Sequence, residues 1–429
     1  MKYHPIDAEL FVSNRARLAE KIKPNSAVII HSNDIFPTNA DGTMAFRQNA
    51  NLLYLTGIEQ EETIVILAPD HPNEKMREIL FLRKTNEHIA VWEGHKFTKE
   101  EARDASGIQN VKWVDEFDAT LLSVLAESDN IYLETNEHIR NGAVTQTRND
   151  RFIQECKINY PLHQYHRLAP IIYALRSVKS AIEIDLIQTA CDITEKGFRR
   201  ILSSLKPGKW EFEVEADLLH EFQLHRSRRF AYEPIIAGGA NSCVLHYIEN
   251  DKPLRNGDIL LMDVAAEYAN YHADMTRTIP VGGRYSQRQK EIYNAVLRVK
   301  NAATELLTPG NAIPEYHKAV GDLMERELLE LGLIDKTDIK NQDPDWPAYK
   351  KYFMHGTSHH LGLDVHDVAS VYVKFEPGMV FTVEPGIYVP EEGIGIRLED
   401  NIVINKKGHT NLMANIPIEV EEIEDLMNQ

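Results

Sequence analysis

The sequence predicts an α/β (α+β) protein of two domains, the second a pseudo-twofold pair of αβ units. Three observations carry that expectation. Short β-rich runs alternate with polar helical stretches across the first part of the chain; a Pro-containing stretch then leads into a long helical pattern; and everything after it repeats one arrangement twice.

Ile6, Leu10, Leu18 and Ile22 recur at multiples of four with Phe11 alongside, so an amphipathic helix opens the chain and stops near Pro24. Strand-like runs follow at 26–31, 63–68, 79–82 and 131–133, separated by helical stretches. The domain boundary falls within 168–177 and divides residues 1–170 from 171–429, with a helix expected from about residue 180 to 205.

The repeat comes next. Leu205-Lys206-Pro207-Gly208 closes one helix and precedes an acidic one at 211–225; Leu307-Thr308-Pro309-Gly310 does the same before 314–331. In each half a glycine, Gly257 or Gly378, then precedes a hydrophobic strand that ends six residues later in a carboxylate, Asp263 or Glu384. A second acid follows, Asp274 after eleven residues and Glu399 after fifteen. Two such units bring their acids together between the halves.

Composition narrows the function. At 43% hydrophobic the 429 residues suffice for real cores, and a net charge of −18 repels phosphate backbones and anionic membrane surfaces, so no nucleic acid is expected as a partner. Cys156, Cys191 and Cys243 show no CxxC or Cys/His finger spacing and read as reduced, mostly buried thiols. Met1-Lys2-Tyr3-His4-Pro5 carries no apolar signal core, and no apolar run approaches the roughly 18 residues of a membrane span. No membrane partner and a cytoplasmic location are therefore expected.

An acid set among Leu, Met, Val and Phe on a core strand is costly to ionise unless something compensates it. Salt bridges to Arg277 or Arg397 would account for any one of these acids but poorly for a matched set. Divalent cations account for the set, because carboxylate oxygens with one imidazole suit Mn, Co, Zn or Fe. Histidines supply the imidazole: His355, His359, His360 and His366 lie within one short segment interrupted by Gly356 and Gly362, which argues against a plain helix. One ring can ligate, while others at the edge can donate to a developing oxyanion or move a proton. There is no GxSxG elbow, P-loop or GxGxxG fingerprint, and Cys243, although close to His246, lacks a nucleophile's context. Gly393-Ile394-Gly395 reads as a tight backbone approach before the strand carrying Arg397 and Glu399.

These residues give the chain a specific resemblance. Leu245-His246-Tyr247, Leu261-Met262-Asp263 through Asp274-Met275-Thr276-Arg277-Thr278, the His355 to Asp367 segment, Val383-Glu384-Pro385-Gly386 and Gly393-Ile394-Gly395-Ile396-Arg397-Leu398-Glu399-Asp400 resemble the pita-bread metallopeptidases. Within that family the chain is most similar to the Xaa-Pro aminopeptidases (aminopeptidase P), with prolidases as near relatives. Phe46-Arg47-Gln48-Asn49 to Tyr54-Leu55-Thr56-Gly57 looks like the creatinase-like N-terminal domain that accompanies them.

The resemblance implies an N-terminal mixed α/β domain followed by a pita-bread domain, and two divalent ions per subunit, manganese first among Mn, Co, Zn and Fe. It makes Asp263 a ligand of one ion, Asp274 and Glu399 bridging ligands, and His359 with Glu384 ligands of the other. His246, His355 and His366 match substrate-facing histidines, with His366 steadying the carbonyl oxygen. Arg397 matches an arginine linked to an N-domain aspartate, here Asp41, and Tyr388 a tyrosine near the active site. Trp92 resembles a tryptophan that reaches a neighbouring subunit's site; a half-buried packing role is the competing reading. The stretch Pro390-Glu391-Glu392-Gly393 is short for the family.

The implied reaction is hydrolysis of the bond before a proline in second position, by a hydroxide bridging the metals; Glu384, or water it orients, is the candidate for moving the proton to the departing nitrogen. The partners would be peptides with an Xaa-Pro N-terminus, and the assembly a homodimer or homotetramer. A prolidase would share every ligand. A creatinase-like C–N hydrolase would use the same fold without metals, and a catalytically silent binding or scaffold module would have lost ligands; the complete ligand set speaks against both.

Overall fold

The structure, a computed structural model, describes residues 3–429, which form two units: Pro5–Arg176, and Ser177–Gln429 together with Tyr3 and His4. In the first, β1 (Ser26–His31), β2 (Ile64–Leu67), β3 (Glu78–Leu82), β4 (Asn110–Trp113), β5 (Asn130–Leu133) and β6 (Gln164–Arg167) make one mixed sheet in the order β4-β3-β2-β1-β5-β6. β1 and β2 are buried along their whole length, so both read as unbroken apolar runs. The two outer strands, β4 and β6, escape sequence detection because Lys112, Gln164 and Arg167 interrupt any apolar pattern there. The opening helix is Glu9–Ala19, shorter than the spacing suggests: Leu10, Phe11 and Leu18 are buried, but Ile22 lies beyond its end, where Pro24 and the left-handed Asn25 (φ 53°) turn the chain into β1.

The second unit starts with the helix Ala181–Ser204, whose N-terminus is a capping box: Ser180 accepts from the Glu183 backbone, and Glu183 from that of Ser180. The helix Glu211–Leu224 follows, then β7 (Ile235–Gly238), β8 (Ile259–Asp263), the small hairpin β9 (Glu267–Tyr268) and β10 (Tyr271–His272), and β11 (Thr276–Pro280). Helices Gln287–Glu305 and Ile313–Glu330 lead to β12 (Val380–Val383), β13 (Gly386–Val389), β14 (Ile394–Arg397), β15 (Asp400–Asn405) and β16 (Gly408–Asn411). The main sheets are β11-β8-β7 and β12-β15-β16, with β13 paired to β14.

The duplication is visible in the backbone itself. Gly208 N donates to Leu254 O at 2.8 Å and Leu254 N to Lys209 O at 2.8 Å; in the other half Gly310 N donates to Phe375 O at 2.9 Å and Phe375 N to Asn311 O at 2.8 Å. Gly208 and Gly310 have φ of 92° and 90°, and Gly257 and Gly378, three residues past those partners, 91° and 95°. Each adopts a conformation that a Cβ would strain, which is why glycine recurs at these four places.

Candidate metal centre

Each half delivers its first carboxylate at a strand end. Asp263 closes β8, opposite Thr276 on β11; Glu384 follows β12, its backbone N–H held by Thr357 O at 2.8 Å. The histidine segment runs extended beside β12, as its glycines suggest: His360 faces Phe381, Leu361 N donates to Val380 O, and Thr382 N to His359 O. His359 N in turn donates to Thr382 Oγ1 at 3.1 Å.

The second acids are locked together across the two halves. Glu399 N donates to Thr276 O at 3.0 Å, and Thr276 Oγ1 donates to Glu399 Oε2 at 2.7 Å. Asn401 accepts from Asp274 N at 3.0 Å and donates to Asp274 O at 2.6 Å. One ligand atom from each of Asp274, His359 and Glu399 therefore falls within 4.8 Å of the other two. Glu384 Oε1 lies 3.6 Å from His359 Nε2, while Asp263, outside that three-residue group, accepts from the Tyr232 hydroxyl at Oδ1, 2.6 Å.

Electrostatics set these carboxyls apart from ordinary surface acids. Burial, with the neighbouring carboxylates, pushes Glu399 well above the usual range and Glu384 up to about 7, the latter despite His359. Burial likewise raises Asp263, opposed by the Arg397 guanidinium. His359 is raised: burial works against its charged form, but its hydrogen bond to Asp274 and the charge of Glu384 outweigh it. Glu399 is 1% exposed and its Oε1 has no hydrogen-bond partner. A buried, unpartnered carboxylate oxygen facing an imidazole and other carboxyls fits a divalent cation, which is the missing partner this donor set calls for.

Around the acids, Arg397 donates from Nη2 to Asp263 Oδ2 at 2.6 Å, from Nη1 to the Tyr388 hydroxyl at 2.8 Å and from Nε to Thr276 Oγ1 at 3.1 Å. Tyr388 also meets His355 Nε2 at 2.8 Å. His355 is held neutral: burial first, then Arg397, lowers it to about 3. His366 stands edge-on to His359, ring centroids 4.4 Å apart, and is exposed, as is His246. Gly395 justifies its reading as a close approach, because a Cβ there would stand 2.1 Å from Ser242 O. The short Pro390–Gly393 connection is a tight turn between β13 and β14, with Gly393 at φ 64°.

Two expected residues lie in the first unit: Asp41 is exposed between β1 and β2, and Trp92, on the helix Glu87–Glu93, is 78% exposed, which removes the half-buried packing role. Sequence reasoning passed over Tyr232, Thr276 and Asn401 as site residues. Thr276 lies inside a recognised segment and Asn401 directly follows one, each two residues from an expected ligand (Asp274 and Glu399), a signal that could have found them; Tyr232 has none. Cys156 and Cys191 are buried free thiols and Cys243 is partly buried and free.

This geometry marks a candidate metal centre, and the family match makes its class that of the metallopeptidases. Residues 185–406 match metallopeptidase family M24, and residues 11–132 the aminopeptidase P N-terminal domain; the chain belongs to family M24. Its relatives include the Xaa-Pro aminopeptidase of Haemophilus influenzae, 37% identical over 98% of this chain and 97% of that one, and that of Escherichia coli, 34% identical over 98% of each. Among solved structures, Zn-substituted E. coli aminopeptidase P in complex with product superposes with a TM-score of 0.88 at 32% identity, covering 99% of both chains. The fold is thus the N-terminal aminopeptidase P domain followed by the pita-bread domain. Among the described residues no helix is long and apolar enough to cross a membrane.

Proposed function

We propose that the chain is a dinuclear-metal exopeptidase that releases the N-terminal residue from peptides with proline in second position. The convergence of Asp274, His359 and Glu399 with the unpartnered buried Glu399 Oε1 carries the metal part of that reading, and the relatives' activity its proline preference. Asp263 and Glu384 complete the ligand set, for two ions per subunit with manganese the expected occupant. Such ions supply Lewis acidity, polarising the scissile carbonyl and acidifying water.

The chain's own residues do the rest. His366, beside His359 and open to solvent, donates to the carbonyl oxygen as charge builds on it. Glu384, or water it orients, is placed to receive a proton and pass it to the departing proline nitrogen. That nitrogen belongs to a tertiary amide, so selection rests on the ring's shape rather than on an N–H. His355, kept neutral and fixed by Tyr388, and His246 face the substrate, and Arg397 balances Asp263. Trp92 is left to an oligomeric neighbour, in a homodimer or homotetramer. Unpaired thiols support a cytoplasmic location.

The test is hydrolysis of Xaa-Pro against Xaa-Pro-Xaa peptides after chelation and re-addition of single metals. Metal-dependent cleavage of the tripeptides is expected. A protein that cuts only Xaa-Pro is a prolidase, and one that cuts neither is no exopeptidase of this kind.

A further inference from the structure

Lys179 and Asp367 form an ion pair with both side chains 1% exposed, Nζ 2.9 Å from Oδ2. Neither is a metal ligand. Two charges so deeply withdrawn from water repay their desolvation only in good geometry, and breaking such a pair is far more damaging than never having had it. The fold makes room for it: a Cβ at Gly362 would stand 2.2 Å from Asp367 Oδ2 and 2.9 Å from Lys179 Cε. Lys179 is itself held, its N–H donating to Gly378 O at 2.9 Å, in the turn that leads to β12 and Glu384.

The pair has a path to the metal centre. Asp367 N donates to His360 O at 2.9 Å, and the same carbonyl receives His359 Nδ1 at 2.9 Å. A carbonyl only accepts, so Nδ1 carries the hydrogen and Nε2 is turned toward Asp274 Oδ2, 3.4 Å away, and Glu384 Oε1, 3.6 Å away. His366, next to Asp367 in the chain, stands against the His359 ring.

We propose that the Lys179–Asp367 pair is the positioning device of the imidazole ligand. It fixes the His360 carbonyl, which fixes the orientation and tautomer of His359, and it holds His366 beside that ring. The inference rests on the reading of His359 as a ligand.

The experiment compares Lys179→Met and the double variant Lys179→Met/Asp367→Leu with the parent by thermal unfolding and by calorimetric titration of chelated protein with Mn²⁺ alone. Lys179→Met, which strands a buried carboxylate, should lower the melting temperature and weaken Mn²⁺ binding about 10- to 100-fold. The double variant, with the ion pair replaced by apolar groups, should recover the melting temperature and keep the affinity loss. A folded double variant that binds Mn²⁺ like the parent would overturn the proposal. Independently of whether either variant folds, ¹⁵N shifts of the Zn²⁺-loaded parent should show His359 protonated at Nδ1; a protonated Nε2 overturns it too. His359→Ala with parental Mn²⁺ affinity would instead refute the ligand assignment beneath it.

Discussion

Arg397 Nη2 sits 2.6 Å from Asp263 Oδ2, and the same guanidinium spans Tyr388 and Thr276, so one planar cation ties an acid of the first half to β13 and β14 of the second. A lysine offers a point charge but no fork. Arg397→Lys should therefore keep the charge, lose the alignment of Asp263 and Tyr388, and lower kcat/KM on an Xaa-Pro-Xaa peptide by about 10²–10³-fold, the scale of a lost preorganised donor. A variant within twofold of the parent would show that the fork is not used.

Asp274 and Glu399 are tied to the opposite half through Asn401 and Thr276. Removing either carboxylate should abolish peptide hydrolysis, a loss of roughly three powers of ten or more when several kcal/mol of metal stabilisation go. Metal content by emission spectrometry should fall in parallel. Retained turnover in Asp274→Ala or Glu399→Ala would refute the two-metal reading.

The Tyr232 hydroxyl donates to Asp263 Oδ1 at 2.6 Å and so orients that carboxyl. Tyr232→Phe should weaken Mn²⁺ binding about 10- to 100-fold with the melting temperature of the chelated protein little changed. Competition against a fluorescent chelator measures this.

Without a cation, burial carries Glu384 from the ordinary 4.5 up to about 7. The folded, chelated protein then holds protons the unfolded chain has released. That contribution to stability is complete below pH 4.5 and is lost as pH rises through 7. Metal displaces those protons, so Mn²⁺ affinity should climb with pH across this window, about tenfold per unit for each proton released. Calorimetry at pH 6 in buffers of different ionisation enthalpy should register proton release; none would mean that the carboxyls are already ionised.

His31 offers the opposite slope in the first unit. Burial, then Arg148, lowers it from 6.5 to about 3, so between those values the unfolded chain binds one proton more. Stability should fall as pH drops from 6.5 toward 3, at about 1.4 kcal/mol per unit from this group. Urea unfolding of His31→Gln should show a shallower pH dependence; an identical slope would assign the effect elsewhere.

Much of this could be read before any coordinates. Strands rich in apolar residues and ending in an acid, β8 and β12, announce themselves because burial and charge conflict in the chain itself, and the Pro-Gly turns at 207–208 and 309–310 mark the repeat because only glycine tolerates their backbone. What escaped is of two kinds. Strands β4 and β6 lie at the sheet's edges, where no apolar pattern is demanded. Tyr232 and Lys179 act on residues 31 and 188 positions away, and a tyrosine or lysine destined for a buried acid looks locally like any other.

The paired turns at Gly257 and Gly378 have a consequence for variation. Each holds a backbone angle that a side chain would strain, just before the strand that carries Asp263 or leads to Glu384. A substitution at either glycine is therefore felt at a carboxyl six residues away, and these two places are where a change remote from the acids would disturb them most directly.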